Sequence, residues 1–167
     1  MVVQKLKIRL SLMVFLQYAV WGSYLLSLGA YLSSIGFGER IGWFFVAQGI
    51  VSLFMPAFIG IVADKWIKPK RVYALCHIIS AICMLIVALN GLNPRPTFNS
   101  LFLPYCISTV FFMPTIALSN SICFSILQSN GIDTVSVFPK IRMWGTIGFI
   151  VAMWVVNFAH LQLSSMQ

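Results

Sequence analysis

Gly60-Ile61-Val62-Ala63-Asp64-Lys65-Trp66-Ile67-Lys68-Pro69-Lys70-Arg71 sets one acid and four bases between two long uncharged runs. Ile41 to Ala63 carries no charge before Asp64, and Val72 to Pro94 carries none after Arg71. A helix of about 20 apolar residues crosses a hydrocarbon core of roughly 30 Å. The stretch therefore reads as a tight polar connection between two membrane helices. The same punctuation recurs outward from it. Leu10 to Gly38 is uncharged and ends at Glu39-Arg40. Pro96 to Ile132 is uncharged and ends at Asp133, and no charge follows Arg142. The spacing predicts an all-α integral membrane chain with five transmembrane helices, near 10–33, 41–62, 72–91, 101–127 and 142–162.

Composition agrees. The 167 residues are 60% hydrophobic and 8% charged, far from a soluble domain. The net charge of +8 would suit a nucleic-acid partner, but the bases lie between apolar runs, so no nucleic acid is expected and the partner is the lipid bilayer. Nine bases (Lys5, Lys7, Arg9, Lys65, Lys68, Lys70, Arg71, Lys140, Arg142) fall on one side and two (Arg40, Arg95) on the other. This places the N-terminus in the cytoplasm and Gln167 outside. The first run is too long for a cleavable signal and no Ala-x-Ala site follows it. Cys76, Cys83, Cys106 and Cys123 lie in apolar runs and read as small packing residues.

Arg142, Thr146 and Phe149 share a helix face, within about 60° of one another. They span roughly 10 Å of helix axis, the length of a small ring-bearing solute. A snorkelling arginine at the mouth of a span is the plainer reading of Arg142. Gly145, Gly148 and Ala152 lie on the adjoining face, where a neighbouring helix can approach. The pairs Gly22/Gly29 and Gly42/Gly49 read as packing faces in the same way. Gln17, Trp21 and Tyr24 share a face that suits either a cavity or an interhelical hydrogen bond. Asn120, beside Thr115, Ser119 and Ser121, suits a solute path or helix packing. His77 reads as a packing histidine, with proton carriage as the alternative. Pro56 and Pro114 interrupt two spans. Asp64 would sit at a helix C-terminus, against that helix's dipole, and so favours a partner elsewhere, as a latch between two bundles does.

The chain has three acids, Glu39, Asp64 and Asp133, and all lie in connections. No metal cluster, cofactor motif, carboxylate pair or nucleophile beside a base is present in the sequence, so an enzyme is not expected. A proton-coupled carrier needs an ionisable membrane group, which is expected outside these spans unless His77 serves.

Gly60, Asp64, Lys65 and the bases after them resemble the loop between helices two and three of the major facilitator superfamily. Ile67 stands where that pattern has glycine, and Pro69 interrupts the basic run. A closer resemblance is to the nucleoside:proton symporters of bacteria, within that superfamily. It rests on Phe15-Leu16-Gln17 with Trp21-Gly22-Ser23, Phe54-Met55-Pro56-Ala57, Gly60 to Trp66, Val72-Tyr73-Ala74 with Cys76-His77, Met113-Pro114-Thr115, and Ile141-Arg142 with Trp144 to Phe149. The resemblance implies proton-coupled uptake of nucleosides such as uridine across the inner membrane, by alternating access between two six-helix bundles. It implies that Arg142, Thr146 and Phe149 line the nucleoside site. It makes 1–167 a partial N-terminal bundle whose partner is the missing C-terminal half, where the other solute contacts and the coupling acid are expected. The rival readings are a carrier of the same fold for a sugar or drug, and a small non-transporting membrane subunit.

Overall fold

The computed structural model describes residues 2–165. Six α-helices account for most of them: α1 (Val2–Tyr24), α2 (Ser27–Ser34), α3 (Ile41–Lys65), α4 (Pro69–Gly91), α5 (Phe98–Ser129) and α6 (Thr134–Phe158). Short 3-10 turns cover Gly38–Arg40 and Leu161–Leu163. Five stretches are long and apolar enough to cross a membrane: Val3–Ser34, Gly38–Lys65, Pro69–Gly91, Phe98–Ser129 and Thr134–Phe158.

The helix ends follow local chemistry. The first span breaks after Tyr24. There Ser23 donates its hydroxyl to Val20 O at 2.7 Å and Ser27 to Ser23 O at 3.1 Å, bonds that compete with the helix ladder. Gly36 closes α2 at φ +86°, with Phe37 N–H donating to Leu32 O and Gly36 N–H to Ser33 O. Gly131 closes α5 at φ +64° in the same way, through Ile132 N–H to Leu127 O. Pro69 opens α4, where its missing N–H costs nothing.

The helix that carries the fifth expected span is longer than that span. It begins at Thr134, because Asp133 caps it by accepting from Val135 N–H at 3.0 Å. Pro139 lies inside α6. Arg142 is therefore eight residues in, roughly 12 Å from the helix start. The last charge of the chain does not mark the start of the helix.

Packing is pairwise. α1 packs chiefly on α6, and α5 packs on α4 and α3. One core cluster gathers Tyr24, Leu28, Tyr31, Phe44, Leu101 and Tyr105, and a second gathers Leu10, Val14, Tyr18, Cys123, Leu127 and Ile141. The α1–α6 crossing is a small-residue contact. A Cβ on Gly22 would lie 2.6 Å from Phe149 O, and one on Gly148 would overlap the Phe15 backbone. Lipid supplies no hydrophobic drive between helices, so such close backbone approach is what holds the pair. The glycines of α3 do otherwise. Gly42 and Gly49 have open space beside them and pack against nothing.

Candidate functional site

α6 carries Arg142, Thr146 and Phe149 on one face, and Arg142 and Phe149 meet α1. The Arg142 guanidinium lies 4.1 Å from the Tyr18 ring centroid. It has no ion-pair partner among the described residues. Gly145 makes the room: a Cβ there would lie 2.9 Å from an Arg142 nitrogen and 2.7 Å from Tyr18 Cδ2. Phe149 meets Trp21 edge-on at 5.9 Å, and Trp21 meets Tyr18 at 6.1 Å. A cation and three rings therefore form one belt across the α1–α6 seam. Thr146 is exposed on the same face, with no hydrogen bond among the described residues. The arrangement can hold a flat solute by ring contact while offering fixed donors.

Beyond Trp21 lies a cleft of about 410 Å³ between α1, α3 and α5, with Trp21, Gln48, Ser52, Met113, Ile116 and Asn120 in its wall. Trp21 Nε1 and Asn120 Oδ1 are buried without a hydrogen-bond partner. The Tyr105 hydroxyl donates to Gln48 Oε1 at 2.7 Å.

Gln17 and Tyr24 point into the bundle instead. Gln17 is 2% exposed and makes three side-chain hydrogen bonds. Its Nε2 donates to Thr115 Oγ1, and its Oε1 accepts from the Tyr73 hydroxyl and from His77 Nε2, all at 2.8 Å. Because an amide oxygen only accepts, His77 must carry its proton on Nε2. Gln17 thus makes interhelical bonds that tie α1 to α4 and α5, and with Tyr73 and His77 it also stands in the wall of a cleft. Tyr24 packs edge-on against Tyr105 and Phe112. Asp64 and Lys65 end α3 exposed, and Asp64 pairs with no base among the described residues; Gly60 has open space beside it.

A family model described as Nucleoside H+ symporter matches residues 4–167. The chain belongs to the nucleoside H+ symporter family. It is 45% identical over 161 residues to a xanthosine permease of Escherichia coli K12, covering 95% of this chain and 37% of that protein. It is 46% identical over 164 residues to the nucleoside permease NupG of the same organism, covering 97% of this chain and 38% of the permease. A crystal structure of the nucleoside transporter NupG superposes with a TM-score of 0.88 at 45% identity, over 96% of this chain and 39% of that one. A mutant of NupG gives 0.90. The chain thus spans under two-fifths of the length of these relatives. The relatives are permeases by name, not enzymes, and this symporter-family chain is a multi-pass membrane protein like them.

Tyr18, Gln48 and Ser52 had no signal in the linear sequence as site neighbours. The one clue to Tyr18 was indirect. Gly145 and Gly148, three apart on α6, announce a close crossing, and α1 is the helix that crosses.

Proposed function

We propose that this chain is part of the N-terminal bundle of a carrier that takes up nucleosides with protons across the bacterial inner membrane by alternating access. The cytoplasmic side carries the N-terminus and the Gly60–Arg71 connection. Arg142 donates to sugar hydroxyls or base oxygens, Thr146 bonds the solute, Phe149 stacks on it, and Asn120 faces the solute path. Gln17 and Tyr24 hold the helices that carry these groups. Gly60, Asp64 and Lys65 serve as a latch toward the second bundle.

One observation carries the reading. Arg142 lies well inside α6, half-buried over the Tyr18 ring and without an acid among the described residues. A half-buried cation among membrane helices is costly unless it faces a water-filled or solute-filled path. Family membership supplies the solute class.

Uptake of labelled uridine into vesicles tests it, using the complete reading frame that encodes this chain. An inward proton gradient should drive accumulation, and unlabelled nucleosides should compete where sugars do not. Competition by sugars alone would assign the fold to another solute, and uptake indifferent to the proton gradient would remove the coupling.

A further inference from the structure

Side chains on a helix lean toward its N-terminus. On α6 that end is Thr134, at the cytoplasmic boundary in the orientation proposed above. An arginine at 142 that followed the rule would lean toward Lys140 and reach the headgroups. Arg142 goes the other way. One of its guanidinium nitrogens lies 2.9 Å from the place a Cβ would take on Gly145. Gly145 stands three residues further along, roughly 4.5 Å up the helix axis. The guanidinium is thus carried toward the C-terminal end of α6 and over the Tyr18 ring, 4.1 Å from its centroid. A side chain at 145 would claim that space. Its Cβ would also lie 2.7 Å from Tyr18 Cδ2 and 3.0 Å from Val14 Cγ1. Those two neighbours have little room to give, since Tyr18 is 6% and Val14 0% exposed within the core. Arg142 is only half-buried, pairs with no acid among the described residues, and presents the end of a flexible chain. Gly148 is a different case, because a Cβ there overlaps the Phe15 backbone.

We propose that Gly145 is the positioning residue for Arg142: having no Cβ, it lets the guanidinium turn along α6 onto Tyr18 instead of running out to the headgroups. The arginine has two resting places, and residue 145 chooses between them. With glycine there, the cation lies over the ring at the α1–α6 seam. With a side chain there, the cheapest relief of the overlap is for the arginine to swing out, because its neighbours are packed and it is not. Its charge then stays at the membrane but out of reach of the seam. Gly145 is buried and touches no solute; it acts only through Arg142. The use of Arg142 in binding rests on the nucleoside reading above, whereas the steering of its side chain by Gly145 does not.

A crystal structure of Gly145→Ala, made in the complete reading frame, tests the steering without any solute. The guanidinium should leave the Tyr18 ring and point toward Lys140. A guanidinium still stacked at its present distance would overturn the proposal. Uridine binding to the same purified proteins tests the consequence. Gly145→Ala should lose about tenfold in affinity, close to the loss in Arg142→Ala. Placed in the Arg142→Ala background, it should cost less than about twofold more, because the group it positions is gone. Gly148→Ala supplies the contrast: whatever affinity it loses through the helix crossing should be lost again in that background. Losses that multiply for Gly145→Ala and Arg142→Ala would make Gly145 a packing residue and overturn the proposal. Should the single variant fold poorly, Gly145→Ala with Val14→Ala frees the aliphatic side of the cradle and is read the same way. If Arg142→Ala loses uridine while Gly145→Ala does not, the nucleoside site stands and the steering falls. If the unsubstituted protein binds no uridine, the nucleoside reading falls and the position of the guanidinium in Gly145→Ala alone decides the steering.

Discussion

The Arg142 guanidinium carbon stands 4.1 Å from the centre of the Tyr18 ring, held there from a neighbouring helix. The ring face attracts the cation, and its flat fork is kept from swinging to the lipid headgroups. Arg142→Ala should weaken uridine binding by at least about tenfold, the loss of one charge-assisted contact of roughly 1.5–3 kcal/mol. Arg142→Lys keeps the charge but loses the planar fork, and should recover only part of the affinity. Tyr18→Phe keeps the ring and should change little, whereas Tyr18→Leu should approach the alanine variant. Equilibrium binding to the complete protein measures all four. Equal affinity in Tyr18→Leu and the unsubstituted protein would show that the ring does not position the arginine.

Gly148 predicts a stability difference along α6. A Cβ at that position would overlap the Phe15 backbone, which cannot rotate out of the way. Gly148→Ala should cost about 1–3 kcal/mol by overpacking the crossing. Gly42→Ala meets open space and should stay within about 0.5 kcal/mol. Thermal unfolding in detergent compares them. A Gly148→Ala protein as stable as Gly42→Ala would mean that the α1–α6 crossing is looser than this geometry.

The fold was legible because charges mark the ends of its apolar runs, and this needs no knowledge of tertiary contacts. The same device does not see where a helix starts. It put the fifth span at 142–162, and the helix that carries that stretch begins earlier, at Thr134, where the Asp133 carboxylate caps it. The face of Arg142, Thr146 and Phe149 was also legible, since it lies on one helix with a fixed period. What faces it was not. Gln17 finds its partners 98, 60 and 56 residues away, a relation that no local pattern encodes. Trp21 stood out as part of a polar and aromatic face, but its unpaired N–H becomes visible only when α3 and α5 are placed around it.

Asp133 carries a pH dependence of known sign. The Ser136 hydroxyl, then the Val135 N–H, hold its carboxyl below the ordinary carboxylate value. A group whose folded value is lowered stabilises the fold above its unfolded value and loses that contribution as pH falls through the folded one. The start of α6 should therefore stay capped at neutral pH and loosen only in acid, below the usual carboxylate range. Hydrogen exchange at Val135 should rise there. Asp133→Ala should show the fast exchange at pH 7, while Asp133→Asn, which can still cap, should not. Exchange that is slow in Asp133→Ala would deny the cap its role.

Asp64 tests the latch apart from binding. It is exposed at the end of α3 and pairs with no base among the described residues. A partner on a second bundle would be made in one conformational state and broken in the other. Asp64→Asn should then lower the uptake rate while leaving nucleoside affinity within about twofold, because the gating step changes and the site does not. Equal loss of affinity and rate would place Asp64 in the folding of the bundle, and an unchanged rate would remove the latch.

Gln17 should be the polar side chain whose loss most damages the bundle. One amide satisfies Thr115, Tyr73 and His77, on two other helices, in a region that is otherwise apolar. Gln17→Leu keeps the volume but strands a phenol and an imidazole. Each group left unpaired costs on the order of 1–3 kcal/mol in water-poor surroundings. Thr115→Val removes one arm only, and the Gln17 oxygen keeps both of its donors. The expected order of thermal stability is therefore unsubstituted, then Thr115→Val, then Gln17→Leu. Adding His77→Phe to Gln17→Leu removes one stranded group, so the double variant should recover part of the loss. A double variant that falls by the sum of the two single losses would mean that His77 and Gln17 act independently, and the junction would not be the unit that joins α1 to α4.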